Sequence, residues 1–139
     1  MREDLPLTRR IPLPRAALAG ALLAAACAHA PREARGPAPQ GQPIGEGIAS
    51  YYGESFRGRK TASGERFDPD SFTAAHRTLA FGTCLRVEDV GSGRFVRVRV
   101  NDRGPYVSGR LIDLSLAAAR GLDLVRQGVA RVRLWACGR

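Results

Sequence analysis

A strict alternation of valine and arginine is the feature that most constrains how this chain can fold. From Val96 to Val100 the two residue types alternate, so apolar side chains fall on one side of an extended backbone and charges on the other. A period of two is typical of a strand with one buried and one solvated face. The pattern returns in residues 131–135 and begins again in residues 85–87. The sequence therefore predicts a β fold with a valine-rich interior.

Shorter segments complete the predicted architecture. Further strands are expected at residues 47–51, 72–75 and 111–113. The glycine-rich stretch 89–93 supplies a turn between two longer strands. Ser115 can cap a short helix over residues 116–120, which Gly121 ends. Several short strands with one or two short helices predict a small, mainly β barrel, whose closure removes exposed strand edges.

The first 27 residues have the features of an export signal. Four arginines precede the apolar run Ala16–Ala26, which is too short for the roughly 20 residues of a spanning helix. The stretch Ala24-Ala25-Ala26-Cys27 resembles a lipobox, so we expect residues 1–27 to be a lipoprotein signal and Cys27 to carry the lipid that anchors the chain to the membrane. Cleavage after Ala30 is the alternative. The expected location is the outer membrane, facing the periplasm, or the periplasm and exterior if Ala30 is the cleavage site.

The residues after the signal divide into a tether and a domain. Residues 28–43 are rich in proline, alanine and glycine, which favours a disordered tether. Residues 44–139 form the predicted barrel domain. Export exposes Cys84 and Cys137 to an oxidising compartment, where they can pair, although two buried thiols remain the alternative.

The strong positive charge has a different meaning outside the cytoplasm. The formal net charge is +9, and a net +2 of it lies in residues 1–27. In the cytoplasm such a charge would indicate nucleic acid as the partner. For an exported protein the available polyanions are the cell wall and anionic lipid surfaces, so nucleic acid is not expected. Simple solubility would account for the charge equally well.

Several polar residues lie in irregular segments, where side chains are free for chemistry. Glu65 and Asp68 follow a glycine-broken stretch, His76 comes after a predicted strand, and Asp102 comes directly after the valine strand. Each has a structural alternative, because an aspartate can close a turn through its side chain and a histidine can be a satisfied core residue. Asp113, between two apolar residues, is interpreted as structural, bonding backbone near the helix cap.

An ordered series of motifs carries a resemblance to a known family. Across residues 46–135 the series is similar to the barrel domain of the rare lipoprotein A family, the septal-ring lytic transglycosylases. The motifs are Gly47-Ile48-Ala49-Ser50-Tyr51-Tyr52-Gly53, Thr61-Ala62-Ser63-Gly64-Glu65-Arg66-Phe67-Asp68, Thr73-Ala74-Ala75-His76, Val100-Asn101-Asp102-Arg103-Gly104-Pro105-Tyr106 and Arg110-Leu111-Ile112-Asp113-Leu114-Ser115. The resemblance implies a six-stranded double-psi β-barrel and an exported, usually lipid-anchored protein. It also implies cleavage of the β-1,4 bond after N-acetylmuramic acid in peptidoglycan, leaving a 1,6-anhydro end.

The family's important polar positions fall on Glu65, Asp68, His76 and Asp102. Glycosidic cleavage needs an acid for the leaving oxygen and a negative group near the oxocarbenium-like centre. Because the sugar's own C6 hydroxyl attacks, one carboxyl group can serve as acid and then as base. We assign this role to Asp102, while Glu65 and Asp68 supply the second charge or orient the sugar, and His76 positions a carboxylate.

Four further residues are expected to bind the glycan strand. Asn101 and Arg103 flank Asp102, and Tyr51 and Tyr52 offer stacking surfaces for sugar rings, one of them facing the core. No cofactor is expected. No metal is expected either, since His76 is the only histidine of residues 44–139 and catalytic zinc takes two or three.

Two functions remain open from the residues. The first is a catalytic lytic transglycosylase acting in wall remodelling or septation, with a divisome or other wall-machinery protein as an unidentified partner. The second is a non-catalytic, expansin-like module that binds glycan or loosens the wall. The catalytic hypothesis requires folding to gather Asp102, Glu65, Asp68 and His76 around one groove.

Overall fold

A computed structural model describes residues 39–138, and from Ile44 onward they form a closed barrel of six strands. The strands are β1 (Gly45–Tyr51), β2 (Thr73–Ala75), β3 (Cys84–Asp89), β4 (Phe95–Asp102), β5 (Arg110–Leu114) and β6 (Ala130–Ala136). One α-helix, α1 (Leu116–Gly121), and a 3₁₀ turn (Glu54–Phe56) complete the regular structure of these residues. The signal peptide, the lipid site at Cys27 and most of the tether lie outside the described residues. No helix within residues 39–138 has the length and apolar character to cross a membrane.

The strand order explains how distant parts of the sequence meet. Around the barrel the order is β1-β5-β2-β4-β3-β6, and the pairs β1–β5 and β2–β4 are parallel while the other four pairs are antiparallel. The six-stranded double-psi β-barrel expected from the sequence is thereby confirmed. Because β2 lies between β4 and β5, residues at the ends of these three strands share one region of the surface.

The alternating pattern fills the barrel as expected. Val96, Val98 and Val100 of β4 are buried, and the intervening Arg97 and Arg99 are exposed. The interior is completed by apolar side chains from every strand and from α1 and the segment after it. These include Ala49, Ala74, Leu85, Val87, Ile112, Leu114, Ala118, Ala119, Leu122, Leu124, Val132 and Leu134. Burial of this set provides the main driving force for closing the barrel.

An irregularity in β4 turns its last residue out of the barrel. Along the β2–β4 pair, Ala74 lies opposite Val100, whereas Ala75 lies opposite Asp102, so Asn101 is an extra residue on β4. Strict alternation after Val100 would have placed the Asp102 side chain inside the core. An extra residue re-aims the side chains that follow it. The irregularity therefore brings Asp102 to the outer surface.

Helix α1 begins as the sequence predicts and ends one residue later. The Ser115 hydroxyl accepts a hydrogen bond from the Ala118 N–H at 3.3 Å, so Ser115 is the N-cap. The prediction that Gly121 terminates the helix is wrong, because Gly121 is the last helical residue and Leu122 follows it as the C-cap. A glycine is needed there for space, since a Cβ would lie 2.6 Å from Val96 Cγ1.

A disulfide fastens two neighbouring strands at one end of the barrel. Cys84 begins β3 and Cys137 follows β6, and their sulfurs are bonded with the Cα atoms 5.5 Å apart. The Cys137 N–H also donates to the Cys84 carbonyl at 3.2 Å. The pairing expected from the sequence is present in the structure.

Candidate active site

A groove of about 270 Å³ lies beside the carboxyl end of β4. Its lining combines aromatic rings, two cations and one carboxylate: Tyr52, Phe56, Arg59, Lys60, Thr61, Phe67 and Asp102. The Tyr52 ring lies 5.3 Å from the Phe56 ring and 5.5 Å from the Phe67 ring, between centroids. Aromatic faces beside a few fixed polar groups are the usual lining of a sugar site.

Asp102 is the carboxylate of this groove, and one of its oxygens is held by backbone N–H groups. Its Oδ1 accepts hydrogen bonds from the Ala62 N–H at 2.9 Å and from the Arg103 N–H at 2.8 Å. Two backbone donors stabilise a negative oxygen. The Asp102 side chain is half-buried. Its Oδ1 is held by these two N–H groups, and the side chain lines the groove.

Asp113 is a second carboxyl group close by, and its environment favours the protonated form. Only 4% of the residue is exposed, and its Oδ1 is buried with no hydrogen-bond partner among the described residues. Its Oδ2 accepts from the Arg110 guanidinium at 3.2 Å. Burial raises the pKa of Asp113, and the Asp102 charge raises it further, against the opposite effect of Arg110.

The strand order brings the two carboxyl groups together. Ala75 of β2 lies opposite Asp102 on one side and opposite Asp113 on the other. Neighbouring strands are separated by about 4.8 Å, so the two aspartate Cα atoms are roughly 10 Å apart across β2. Two carboxyl groups in such different surroundings are suited to different roles in the chemistry.

The two adjacent tyrosines face different ways, as the sequence predicts. Tyr51 packs against the hydrophobic core, whereas Tyr52 lines the groove. Burial raises the pKa of the Tyr52 phenol, and the charges of Asp102 and Asp113 raise it further. The phenol therefore stays neutral and presents a ring and a hydroxyl to the groove.

Glu65 lies beside the site, but its carboxylate is bound by other residues. Its two carboxylate oxygens accept from the Arg99 guanidinium at 2.6 and 3.0 Å, and the Asn101 amide donates to it at 3.2 Å. Arg99 and Asn101 lower the pKa of Glu65, so it stays ionised. The pair holds the turn that carries the Ala62 N–H against β4. Glu65 thus supports the Asp102 carboxylate, and Asn101 is part of the same support.

Asp68 is not brought to the groove. Its Oδ1 accepts from the Asp70 N–H at 3.0 Å and its Oδ2 from the Ser71 hydroxyl at 2.7 Å. These bonds, with Arg57 nearby at 3.7 Å, lower the pKa of Asp68. The side chain closes the turn that leads into β2, which is the structural alternative given above.

His76 is adjacent to Asp102 through the backbone, and its ring orders a loop. The backbone N–H of His76 donates to the backbone carbonyl of Asp102 at 3.1 Å. The imidazole Nδ1 accepts from the Thr78 and Leu79 N–H groups at 3.2 and 3.1 Å. Burial lowers the pKa of His76, and the charges of Arg103 and Arg77 lower it further. The ring is therefore neutral, with its proton on Nε2.

Two arginines tie together the loops on either side of this region. Arg103 donates to the carbonyls of His76 and Leu79 at 3.3 and 2.9 Å and lies over the Phe81 ring. Arg77, in the loop after β2, donates to the carbonyls of Pro105, Val107 and Arg110 at 2.6, 3.1 and 3.3 Å. Arg103 is thus engaged in positioning the loop after β2.

Sequence reasoning missed several residues of the site. Asp113 was interpreted as structural because its neighbours are apolar, and only the β5–β2–β4 order brings it near Asp102. The groove residues Phe56, Arg59, Lys60 and Phe67 carry no distinctive local signal. Among residues 39–138, no three His, Cys, Asp or Glu side chains are grouped closely enough to hold a metal ion.

Comparison with known proteins identifies the family. The family model described as lytic transglycolase matches residues 44–134, which is most of the barrel. The chain belongs to this family. A Treponema pallidum protein named "Probable endolytic peptidoglycan transglycosylase RlpA" is 57% identical over 91 residues, covering 66% of this chain and 29% of its own length. A Campylobacter jejuni protein named "Endolytic peptidoglycan transglycosylase RlpA" is 50% identical over 93 residues, covering 67% and 34%. The resemblance found in the sequence is confirmed, and the chain spans about a third of the length of these family members.

More distant structures share the fold. The Streptomyces papain inhibitor has a TM-score of 0.52 at 24% identity, covering 66% of this chain and 96% of its own. A Clavibacter michiganensis expansin, solved as a mutant in complex with cellohexaose, has a TM-score of 0.53 at 22% identity, covering 67% and 50%. At this level of identity the likeness concerns the architecture of the barrel.

Proposed function

We propose that this protein is a peptidoglycan lytic transglycosylase, which cleaves the β-1,4 bond between N-acetylmuramic acid and N-acetylglucosamine and leaves a 1,6-anhydro end. The observation that carries the proposal is that Asp102 lines the groove and the buried Asp113 lies across β2 from it. Asp102 accepts two backbone hydrogen bonds, and burial raises the pKa of Asp113. Glycosidic cleavage requires one carboxyl group as an acid and one negative group near the developing charge. The names of the family members in Treponema and Campylobacter support the same activity.

In the proposed mechanism the two aspartates divide the chemistry. The protonated Asp113 donates its proton to the glycosidic oxygen as the C1–O4 bond breaks. The Asp102 carboxylate faces the positive charge that develops at C1. The C6 hydroxyl of the same sugar attacks C1, and its proton passes to Asp113, which restores the starting state. Asp102 as the acid, as expected from the sequence, stays an alternative that the variants below separate.

Tyr52, Phe56 and Phe67 provide the surface on which sugar rings stack. Glu65 and His76 act in this proposal as positioning residues, because each is bound to the segments that hold Asp102. We further propose export, with the lipid on Cys27 and the barrel on the periplasmic side of the outer membrane. The basic residues and short apolar run of residues 1–27 support this location.

The activity can be tested on purified sacculi with the mature protein and the products analysed by mass spectrometry. We expect anhydromuropeptides, and an Asp113→Asn variant should be slower by about 10²–10⁴-fold because general acid catalysis is lost. Asp102→Asn should be slower by about 10²–10³-fold through loss of charge stabilisation. The matched control is Asp123→Asn, which neutralises a partly exposed carboxylate that pairs with Arg126 outside the groove and should leave the rate unchanged.

The outcomes distinguish the assignments. If Asp113→Asn retains the full rate while Asp102→Asn is inactive, Asp102 is the acid. If wild-type protein yields no anhydro products from intact or peptide-stripped glycan, the enzymatic proposal fails. The alternative is then an expansin-like glycan-binding module, for which the expansin solved with cellohexaose provides a structural precedent of the same fold.

A further inference from the structure

Two cations that line the groove have no role in the mechanism given above. Arg59 and Lys60 line the groove together with Asp102, and both are exposed. Within residues 39–138, neither side chain is paired with a carboxylate. The contact made by Arg59 is with the Phe56 ring, 5.0 Å from its centroid. We call Arg59 and Lys60 the cation pair.

The acidic residues nearest to the cation pair in the sequence form ion pairs with other arginines. Arg57 binds Glu54 and Asp70, each at 3.0 Å, and lies 3.7 Å from Asp68. Glu65 is held by Arg99 at 2.6 Å. These carboxylates are therefore bound by other arginines, and Asp102, which shares the groove, is held by backbone N–H groups and forms no ion pair among the described residues. The cation pair keeps its charge for a group that comes from outside.

The backbone holds the cation pair in a fixed place. The Arg59 carbonyl accepts from the Phe67 N–H at 2.7 Å, and the Thr61 N–H donates to the Glu65 carbonyl at 2.7 Å. Lys60 forms an antiparallel bridge with Arg66 between these bonds. A charged group on an ordered backbone loses less freedom on binding than one on a mobile loop.

We propose that the cation pair is a subsite for a carboxylate carried by the muramic acid unit of the glycan strand. This inference rests on the proposed function. N-acetylglucosamine is neutral, whereas the lactyl group of N-acetylmuramic acid ends in a free carboxylate or in a peptide that bears carboxylates. The charge of the strand therefore alternates from sugar to sugar. Cations at a defined place in the groove would select one of the two registers, so that the same kind of bond always lies over Asp102.

The proposal is tested by measuring binding of three tetrasaccharides by calorimetry. One is the neutral N-acetylglucosamine tetramer, and the others are alternating glucosamine–muramic acid strands with free lactyl carboxylates or with intact peptides. All proteins carry Asp113→Asn so that the ligand is not consumed. Arg59→Gln with Lys60→Gln is compared with Arg97→Gln and Arg120→Gln, which remove the same charge at exposed positions outside the groove.

We expect the cation-pair variant to bind a carboxylate-bearing strand about tenfold more weakly than the control variant, and the neutral tetramer equally well. The difference should shrink as salt is added, because exposed charges are screened. An effect on the peptide-free strand alone identifies the lactyl carboxylate, and an effect on the peptide-bearing strand alone identifies the peptide. Initial rates with Asp113 intact should show the same change in KM.

Equal binding by the cation-pair and control variants overturns the subsite, and so does an equal loss on the neutral tetramer. Neither result contradicts the proposed activity if the wild-type protein still makes anhydro ends. By contrast, a protein that makes no anhydro product contradicts the proposed function whatever the binding results are. The two failures are therefore distinguishable.

Discussion

At the scale of single residues, the site depends on two aspartates that the fold treats in opposite ways. Asp102 receives two backbone N–H groups, and Asp113 is buried with one oxygen unpartnered. Burial of this acid lowers the stability of the folded state once the acid ionises, because the pKa of Asp113 is raised above that of the unfolded chain. The folded state then binds the Asp113 proton more tightly, so its stability falls as the pH rises through this window.

The Asp113→Asn variant should therefore be more stable than the wild-type protein at pH 7 and equally stable near pH 3, where both side chains are neutral. We expect the melting temperature to rise by a few degrees at pH 7, since about 1 kcal/mol corresponds to roughly 4–8 °C for a domain of this size. Thermal melts across this pH range check the prediction. A variant that is less stable than wild type at pH 7 would show that the Arg110 ion pair outweighs burial.

The roles of single residues were the hardest part to foresee from the sequence. Asp102 was recognised because it follows a strong strand pattern. Tyr51 and Tyr52 were both expected to offer stacking surfaces, with one of them facing the core. Glu65 and His76 were noticed as polar residues in loops, but the Arg99 guanidinium that binds Glu65 and the Asp102 carbonyl that accepts from the His76 backbone come from distant segments. Local sequence cannot reveal partners that only the fold supplies.

At the scale of elements, alternation predicts the strands well and helix signals less well. All six strands appear within a few residues of the expected positions, because period-two burial is a local property of the chain. The end of α1 was misjudged, since glycine is common as a helix terminator and here has a packing role instead. The contact that decides this is with β4, which lies far away in sequence.

Substituting Gly121→Ala separates these two roles of glycine. A helix-terminating glycine without steric neighbours would tolerate alanine or gain about 1 kcal/mol from helix propensity. Here the new Cβ would lie 2.6 Å from Val96 Cγ1, so we expect a loss of about 1–3 kcal/mol from overpacking. Urea denaturation measures the change. Adding Val96→Ala to Gly121→Ala should cost less than the sum of the single changes, and strict additivity would refute the contact.

At the scale of the whole molecule, a closed barrel is joined at one end by the Cys84–Cys137 disulfide. The resemblance across residues 46–135 predicts the double-psi architecture, whereas alternation alone predicts only a small β-barrel. The β5–β2–β4 order, which creates the site, is a non-sequential arrangement that no local pattern contains. The pairing of Cys84 with Cys137 was expected from export, and the adjacency of β3 and β6 makes it geometrically simple.

Replacing both cysteines by serine should lower the stability of the barrel by about 4 kcal/mol, because a covalent loop of this length restricts the unfolded chain. The disulfide joins β3 to the end of β6, neither of which lines the groove. The rate of anhydro product formation at temperatures below the melting transition should therefore be unchanged. Denaturation with and without a reductant gives the stability, and a serine variant that unfolds at the same urea concentration as wild type would contradict this account.

The single extra residue in β4 has a consequence for how such a protein can evolve or be redesigned. Since Asn101 separates a core valine from a surface carboxylate, residue count at this point decides whether Asp102 meets hydrocarbon or solvent. A deletion there would leave every neighbouring side chain chemically intact and still abolish the site. Redesign of this barrel should therefore keep the spacing from Val100 to Asp102 unchanged.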